Sequence, residues 1–162
     1  MTESITLAKS ESMRSFARSL PMALLKARES VMVRFRPMLR AHGLTEQQWR
    51  VLRAMFAAGG RRLRPMEMAQ MTFISMPSLS RLLKTLEVKE LITRSRLADD
   101  LRGSEFSLTQ AGCTIVEEIA PSSEATYAEI ESLVGHAEVE QLYRVLEQVV
   151  QRLGEPSTAD LE

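Results

Sequence analysis

SMPSLSRLLKTLEVKE, residues 75–90, predicts a short helix with one buried face and one solvent-exposed face. The leucines recur at the i, i+3, i+4, i+7 spacing of a helix that packs along one side: Leu79, Leu82, Leu83 and Leu86. Ser75 suits the N-cap, and Pro77 fits the first turn, where a missing N–H costs nothing. A polar set turns away from this stripe: Ser80, Arg81, Lys84 and Thr85. An ordinary solvated face is the alternative interpretation, so the rest of the chain must distinguish the two.

Composition limits the class of protein. With 162 residues, the chain can form one domain with a substantial core. Its apolar runs are too short to span a bilayer, and residues 1–20 lack the apolar segment of a signal peptide, so we expect a cytoplasmic protein without a membrane partner. A single cysteine, Cys113, excludes an internal disulfide framework and, with only two histidines, argues against a zinc site. We expect no cofactor.

The net charge of zero hides two oppositely charged portions. Residues 1–104 contain 19 Lys and Arg against 9 Asp and Glu, which gives a net charge of +10. Residues 105–162 contain 2 and 12, which gives −10. This asymmetry favours a portion that binds a polyanion, joined to an acidic portion with another role. Chance segregation of charge on helical surfaces is the alternative.

Capping signals divide the first half of the chain into elements. Residues 1–18 are polar and without periodicity, so we expect a flexible tail. A long helix follows over residues 19–43, and Pro37 inside it predicts a kink. Thr45-x-x-Gln48 is a capping box that opens a second helix. A short helix and a tight turn then lead into the helix of residues 75–89.

A hairpin and two further helices are predicted in the second half. Two β-favouring runs, residues 91–96 and 104–109, flank LADDLRG. Thr109 can cap the next helix, which Pro121 should bend or interrupt. The last helix carries a heptad-like apolar seam, longer than one small domain needs for its own core: Val139, Leu142, Tyr143, Leu146, Val149, Val150 and Leu153.

Two short helices at a tight turn, followed by a basic hairpin, predict a winged helix-turn-helix over residues 44–108 of a mainly α protein with a small β-wing. The polar face of the second short helix would then enter the major groove of double-stranded DNA. Its candidate DNA-binding residues are Ser75, Pro77, Ser78, Ser80, Arg81, Lys84 and Thr85. The hairpin adds Arg94, Arg96 and Arg102, because phosphates and a narrow minor groove attract arginine.

At this point the chain resembles the MarR family of winged-helix transcription regulators, from Met68 to Gly112. The strongest part is DDLRGSEFSLTQAG, residues 99–112, which is similar to the family's Asp-x-Arg wing and its following x-Leu-Thr-x-x-Gly. The resemblance implies that the Asp100 carboxylate steadies the Arg102 guanidinium at the minor groove. Glu90 departs from the family, which usually has a helix-ending glycine there. A left-handed glutamate is uncommon, so a reshaped helix end is an open alternative.

A second block resembles one branch of this family. Residues 23–37 and 44–51 look like regulators that repress the catabolism of homoprotocatechuate or 4-hydroxyphenylacetate. The resemblance implies a homodimer built from residues 19–43 and 109–154, with residues 155–162 as a short tail. It also implies a pseudo-palindromic operator that is released when a small aromatic carboxylate binds. Arg81 departs from that branch, so the operator sequence is not carried over.

Glu46, Trp49 and Arg53 share one face of the second helix and suggest a sensor site. An indole wall beside a guanidinium suits a phenyl ring that bears a carboxylate. The alternative is that Trp49 belongs to the core and Arg53 to an ion pair. The resemblance extends the ligand contacts to seven positions: Ser19, Met32, Phe35, Glu46, Trp49, Arg53 and Tyr127. Glu46 replaces a shorter aspartate there, and Pro21 an asparagine, which would alter the ring substituents accepted.

Three other functions are alternatives to a ligand-responsive repressor. An architectural or ligand-independent DNA-binding regulator would use the same helix and wing, but would leave Trp49 and Arg53 without an evident use. A redox-responsive regulator would act through Cys113. Redox-sensing members of the family carry their cysteine near the start of the first helix, so we expect Cys113 to be structural. An enzyme is disfavoured, since the sequence has no Ser/His/Asp set, metal cluster or glycine-rich phosphate loop.

Overall fold

Six α-helices and one β-hairpin form the fold of residues 14–96 and 103–157, the part of the chain that the computed structural model describes. The helices are α1 (Leu20–Ala41), α2 (Glu46–Ala57), α3 (Pro65–Thr72), α4 (Met76–Val88), α5 (Gln110–Val134) and α6 (His136–Leu153). The hairpin consists of β1 (Ile92–Arg96) and β2 (Ser104–Leu108). This architecture confirms the prediction of a mainly α protein with a small β-wing. None of these helices is long and apolar enough to cross a membrane.

The chain divides into two compact units, Met1–Arg34 and Phe35–Glu162, and α1 contributes residues to both. In the first unit, Phe16–Arg18 forms a short 3-10 helix before α1 begins. The side chains of Leu20, Leu24 and Leu25 are exposed. Residues 1–13 of the predicted N-terminal tail lie outside the described residues.

In the second unit, α1 ends at a left-handed glycine. Gly43 has a φ of +65°, and its N–H donates to the carbonyl of Arg40 at 3.0 Å. The N–H of Leu44 donates to the carbonyl of Leu39 at 2.9 Å, which completes a Schellman motif. The Lys89 ammonium, just past the end of α4, donates to the Gly43 carbonyl at 2.6 Å. The ends of α1 and α4 are therefore joined directly.

The predicted capping box opens α2, whereas the two helical prolines interrupt nothing. The Thr45 hydroxyl accepts from the Gln48 N–H at 3.2 Å, and the Gln48 side-chain oxygen accepts from the Thr45 N–H at 3.1 Å. Helix α1 continues through Pro37, and α5 continues through Pro121. Pro121 was predicted to bend or interrupt its helix, and the interruption does not occur. Each proline removes one N–H donor from a long helix, and the many remaining hydrogen bonds are enough for the helix to continue past it.

Apolar side chains from α2, α3, α4, the hairpin and the start of α5 form one core. Its most deeply buried members include Val51, Leu52, Leu63, Met68, Leu79, Leu86 and Ile119. Each such side chain stabilises the fold by about 1.5–3 kcal/mol relative to an exposed position. The leucine stripe of α4 is part of this core, so the orientation of α4 is fixed by packing within its own chain.

The hairpin is antiparallel, with Ile92 opposite Leu108 and Arg96 opposite Ser104. Leu63, in the segment between α2 and α3, forms a bridge with Phe106 on β2. Each of these two residues donates its N–H to the carbonyl of the other at 2.9 Å. The predicted β-runs are confirmed, and the hairpin is attached to the helical core through backbone hydrogen bonds.

Helix α5 begins against the end of α4, and its first turn requires a glycine. The Thr109 hydroxyl donates to the Glu90 carbonyl at 2.7 Å and accepts from the Gly112 N–H at 3.0 Å. A Cβ on residue 112 would lie 2.0 Å from the Leu91 carbonyl oxygen. Only glycine allows this approach, which explains the Leu-Thr-x-x-Gly sequence in physical terms.

Candidate functional site

Helix α4 separates a buried apolar face from an exposed polar face. Three leucines of the stripe are buried: Leu79, Leu83 and Leu86. The fourth, Leu82, is half-buried and packs against the core. The predicted polar set is exposed: Ser80, Arg81, Lys84 and Thr85. Turning this polar face inward would expose the leucines to water, so the two cations are held pointing outward.

A side chain of α2 stabilises the turn between α3 and α4. The Arg50 guanidinium donates to the carbonyl of Thr72, the last residue of α3, at 3.0 Å. Phe73 follows in the left-handed conformation with a φ of 50°, which redirects the chain into α4. A side chain on one helix therefore positions the sharp turn between the next two, and this contact is not visible in the periodicity of the sequence.

The first turn of α4 contains the remaining candidates for DNA contact. Ser75 is the N-cap and Pro77 lies in the first turn, as predicted. The Ser75 hydroxyl donates to Ser78 Oγ at 3.2 Å and makes no capping bond to the helix backbone. The N-cap position was thus correct, but the expected side-chain cap is absent. Backbone N–H groups of this turn can still bind phosphate.

Glu90 ends α4 in the left-handed conformation, with a φ of 57°. Its N–H donates to the Glu87 carbonyl at 2.8 Å, and the Leu91 N–H donates to the Leu86 carbonyl at 3.0 Å. These are the two bonds of a Schellman motif, the same as after α1. The alternative of a reshaped helix end was therefore wrong. A left-handed non-glycine residue costs about 1–2 kcal/mol, and the surrounding contacts must offset that strain.

The two described arginines of the wing have different surroundings. Arg94 Nε donates to Ser104 Oγ across the hairpin at 2.8 Å, and its guanidinium lies 6.0 Å from the Phe106 ring centroid. Arg96, at the end of β1, is exposed. Two other predicted wing residues lie outside the described part of the chain: Asp100 and Arg102.

A basic segment between α2 and α3 was not singled out from the sequence: Arg61, Arg62 and Arg64. The Arg61 guanidinium pairs with the Glu67 carboxylate at 2.7 Å, and the backbone N–H of Arg64 donates to the same carboxylate at 2.8 Å. The hydrogen bond from Arg61, followed by that from Arg64, lowers the pKa of Glu67. The spacing of Glu67, three residues after the residue that precedes α3, was the available signal.

Four of the seven predicted ligand-binding residues meet at one place in the second unit. Trp49 on α2 is buried in the core, and the Arg53 guanidinium carbon lies 5.9 Å from its ring centroid. Arg53 donates to the Tyr127 hydroxyl on α5 at 3.2 Å. The Tyr127 ring stands edge-to-face to Phe35, with 5.0 Å between centroids. We call these four residues the aromatic–arginine cluster. Trp49 is thus a core residue that also forms one side of the candidate site.

The other three ligand-binding candidates are Glu46 in the second unit and Ser19 and Met32 in the first. Glu46 Oε1 accepts from Arg36 Nε at 2.5 Å, a half-buried ion pair that sequence spacing could not reveal. Ser19 and Met32 belong to the first unit, where both side chains are partly buried. The Glu46 carboxylate is therefore already bound to a guanidinium.

His42 and Cys113 take no part in the cluster. His42 Nδ1 lies 2.9 Å from the Met38 carbonyl, directly after the end of α1. Cys113 is half-buried and lines a cleft of about 310 Å³ beside Met55, Phe56 and Leu108. No group of three or more potential metal ligands occurs within residues 14–96 and 103–157.

Helix α6 leaves most of its apolar seam uncovered. Val139 is buried, and Leu146 and Val149 are partly buried. The other members are exposed: Leu142 50%, Tyr143 56%, Val150 42% and Leu153 80%. An apolar seam of this extent is more than scattered surface residues explain.

The comparisons with known proteins agree with this geometry. The sequence profile of the MarR family matches residues 42–103, from the end of α1 to the wing. The chain is 33% identical over 132 residues to the homoprotocatechuate degradative operon repressor of Escherichia coli, a match that covers 82% of this chain and 88% of that protein. The chain belongs to the MarR family.

Solved structures of MarR-type regulators share the fold. The transcriptional regulator PA4135 is 33% identical with a TM-score of 0.77, and the match covers 82% of this chain and 96% of that one. NadR, solved in complex with 4-hydroxyphenylacetate, is 31% identical with a TM-score of 0.70, covering 85% and 96%. These MarR-family relatives are transcriptional regulators and not enzymes, and the present chain is accordingly a winged-helix transcriptional regulator.

Proposed function

We propose that this MarR-family protein is a homodimeric repressor that leaves its operator when a small phenyl carboxylate binds. The observation that carries the proposal is the exposed Arg81 and Lys84 face of α4, backed by buried leucines. Cations held on a rigid helix can contact base edges, while the hairpin beside it supplies phosphate contacts. Residues 44–108 are assigned to DNA binding. We place the protein in the cytoplasm, and the proposed function requires no cofactor.

The dimer is inferred from the uncovered apolar seam of α6. Leu142 and Tyr143 are half or more exposed in the single chain, and Leu24 and Leu25 of α1 are exposed as well. A second copy that covers such side chains would remove apolar surface from water, and obligate interfaces bury about 2,000 Å² or more. A two-fold symmetric dimer would present two α4 helices to a pseudo-palindromic operator. The interface is assigned to the exposed apolar side chains of the helical regions 19–43 and 109–154.

The effector class is inferred from the aromatic–arginine cluster and from the bound 4-hydroxyphenylacetate of the NadR relative. Arg53 would pair with a carboxylate, and Trp49 and Phe35 would contact the phenyl ring. The Escherichia coli relative is named as the repressor of an aromatic degradative operon, which supports the same class. Ser19 and Met32 are assigned to the site by family resemblance. Effector binding would release DNA by favouring a dimer shape with mismatched half-site spacing.

The proposal can be tested with a labelled duplex that the wild-type protein selects from a random DNA pool. Fluorescence anisotropy would follow DNA binding while 4-hydroxyphenylacetate or 3,4-dihydroxyphenylacetate is added. We expect the wild type to release the duplex. We expect Arg53→Ala to bind it normally and to resist release by at least tenfold in effector concentration, since a charged hydrogen bond is lost.

Arg40→Ala is the matched control, because Arg40 is an exposed arginine of α1 outside the aromatic–arginine cluster. It should respond to effector as the wild type does. A wild type that binds DNA but ignores all phenyl carboxylates would instead support a ligand-independent regulator. An unchanged response in Arg53→Ala would show that the carboxylate binds elsewhere.

A further inference from the structure

Ser123 on α5 carries a buried hydroxyl without a partner. The residue is 3% exposed, and its Oγ has no hydrogen-bond partner among the described residues. No other buried side-chain nitrogen or oxygen in that part of the chain is left in this state. Burying a hydroxyl without a hydrogen bond is unfavourable, so such atoms are rare and call for a physical reason.

Ser123 does not make the backbone hydrogen bond that a helical hydroxyl ordinarily makes. Serine and threonine commonly donate to the carbonyl four residues earlier. Three residues on in the same helix, Thr126 does so, with its hydroxyl 2.9 Å from the Ser122 carbonyl. Ser30 on α1 donates to the Lys26 carbonyl at 3.0 Å in the same way. The Ser123 hydroxyl therefore stays available for another acceptor or donor.

Its place on α5 puts Ser123 beside the aromatic–arginine cluster. Residues four apart on a helix share a face, so Ser123 lies between Ile119 and Tyr127. Ile119 belongs to the same buried core as Trp49, and Tyr127 accepts the hydrogen bond from Arg53. Helix α5 packs against α2, the helix that carries Trp49 and Arg53. Ser123 lies on the face of α5 that is turned toward the cluster.

Two other polar side chains among the ligand-binding candidates already have partners within the second unit. Glu46 is paired with Arg36 at 2.5 Å, and the Tyr127 hydroxyl accepts from Arg53 at 3.2 Å. Ser123 has both a donor and an acceptor without a partner in the described chain.

We propose that the Ser123 hydroxyl forms a hydrogen bond with a hydroxyl group on the ring of the effector. This assignment rests on the proposed function and makes it more specific: the effector is a hydroxylated phenyl carboxylate. A site that buries a hydrogen-bonding group discriminates against ligands that lack the matching group, because the protein group is then left unpaired.

The experiment measures the affinity of the full-length protein for phenylacetate and for 2-, 3- and 4-hydroxyphenylacetate by calorimetry. In the wild type, at least one hydroxylated isomer should bind about tenfold or more tightly than phenylacetate. In Ser123→Ala this preference should fall to near unity, while phenylacetate binding stays within about twofold. Ser122→Ala, an exposed neighbour on the same helix, should keep the wild-type preference.

Ligand-free melting temperature supplies a second readout. Ser123→Ala should melt no lower than the wild type, because the substitution removes an unpaired hydroxyl and no hydrogen bond. A markedly lower melting temperature, or an unchanged preference for the hydroxylated acids, would overturn the assignment of Ser123 alone. If the wild type binds none of the four acids, the effector class proposed above fails together with it.

Discussion

Helices α4 and α6 are both amphipathic, but the apolar face of α4 is buried within the chain and that of α6 is largely exposed. Helix α4 buries its leucines in its own chain and presents Arg81 and Lys84 to solvent. Helix α6 buries only Val139 fully and leaves Leu142 and Tyr143 exposed. A helix whose apolar face is satisfied can offer a polar surface to a charged partner. A helix whose apolar face is uncovered needs an apolar partner, and we propose that this partner is a second copy of the chain.

The largest effect should come from placing charges on the apolar seam of α6. Leu142→Asp with Leu146→Asp should give monomeric or unfolded protein that no longer binds a palindromic duplex, because buried carboxylates without partners are strongly unfavourable. Sedimentation velocity would measure the assembly state. Gln141→Asp with Gln148→Asp puts the same two charges on exposed polar positions of the helix and should leave the dimer intact. A folded monomer of the Leu142→Asp, Leu146→Asp variant that still binds the duplex fully would contradict the assignment of α6 to the dimer interface.

The next largest effect concerns the polar face of α4. Arg81→Ala should weaken binding to the selected duplex by about 1–3 kcal/mol if Arg81 reads a guanine, and should relax specificity at one position of each half-site. Arg144→Ala removes the same side chain from the exposed surface of α6 and should leave DNA affinity unchanged. Anisotropy titrations of the two variants compare the helices directly. An equal loss of DNA affinity in both variants would show that α4 is no more important for DNA binding than α6.

The amphipathic character of α4 and α6 could be predicted from the sequence, but several contacts of the candidate site could not. The leucine spacing of residues 79–86 and the Thr45–Gln48 capping box are local patterns, so periodicity and spacing sufficed. The Arg53–Tyr127 hydrogen bond joins residues 74 positions apart. The family resemblance predicted both residues as ligand contacts, but it did not predict the hydrogen bond between them. The Arg36–Glu46 pair and the unpaired Ser123 hydroxyl depend on how helices pack, which no local pattern encodes. Residues 97–102, with Asp100 and Arg102, lie outside the described residues.

A smaller effect is expected at the end of α4, where the strain is internal to one chain. Glu90→Gly should raise stability by up to about 1–2 kcal/mol, since glycine adopts a φ of +57° without the steric cost. Because α4 is held within its own chain, the gain should appear as a similar rise in melting temperature at every protein concentration. The converse change, Gly43→Ala at the matching position after α1, should lower it. An unchanged or lower melting temperature for Glu90→Gly would contradict the strain.

The smallest effect should be a change in stability at acid pH through α3, the helix that packs against α4. Hydrogen bonds from Arg61 and Arg64 hold the pKa of Glu67 below its ordinary value of 4.5. A lowered folded-state pKa adds stability above the unfolded value, and this stability is lost as pH falls through the folded value. Glu67→Gln should therefore flatten the fall in melting temperature below pH 4.5, and Arg61→Gln should do so in part. Melting curves parallel to wild type would exclude this contribution.

The central claim is that α4 faces DNA while α6 faces a second copy of the chain, and thiol labelling tests both at once. In a Cys113→Ser background, Ser80→Cys and Tyr143→Cys each place one thiol on the exposed face of one helix. Maleimide labelling rates are measured with and without the selected duplex, at a concentration where the protein is dimeric. We expect the thiol at position 80 to react rapidly and to be protected by DNA, and the thiol at position 143 to react slowly in both conditions. DNA protection at position 143, or rapid labelling there combined with no protection at position 80, would contradict the account.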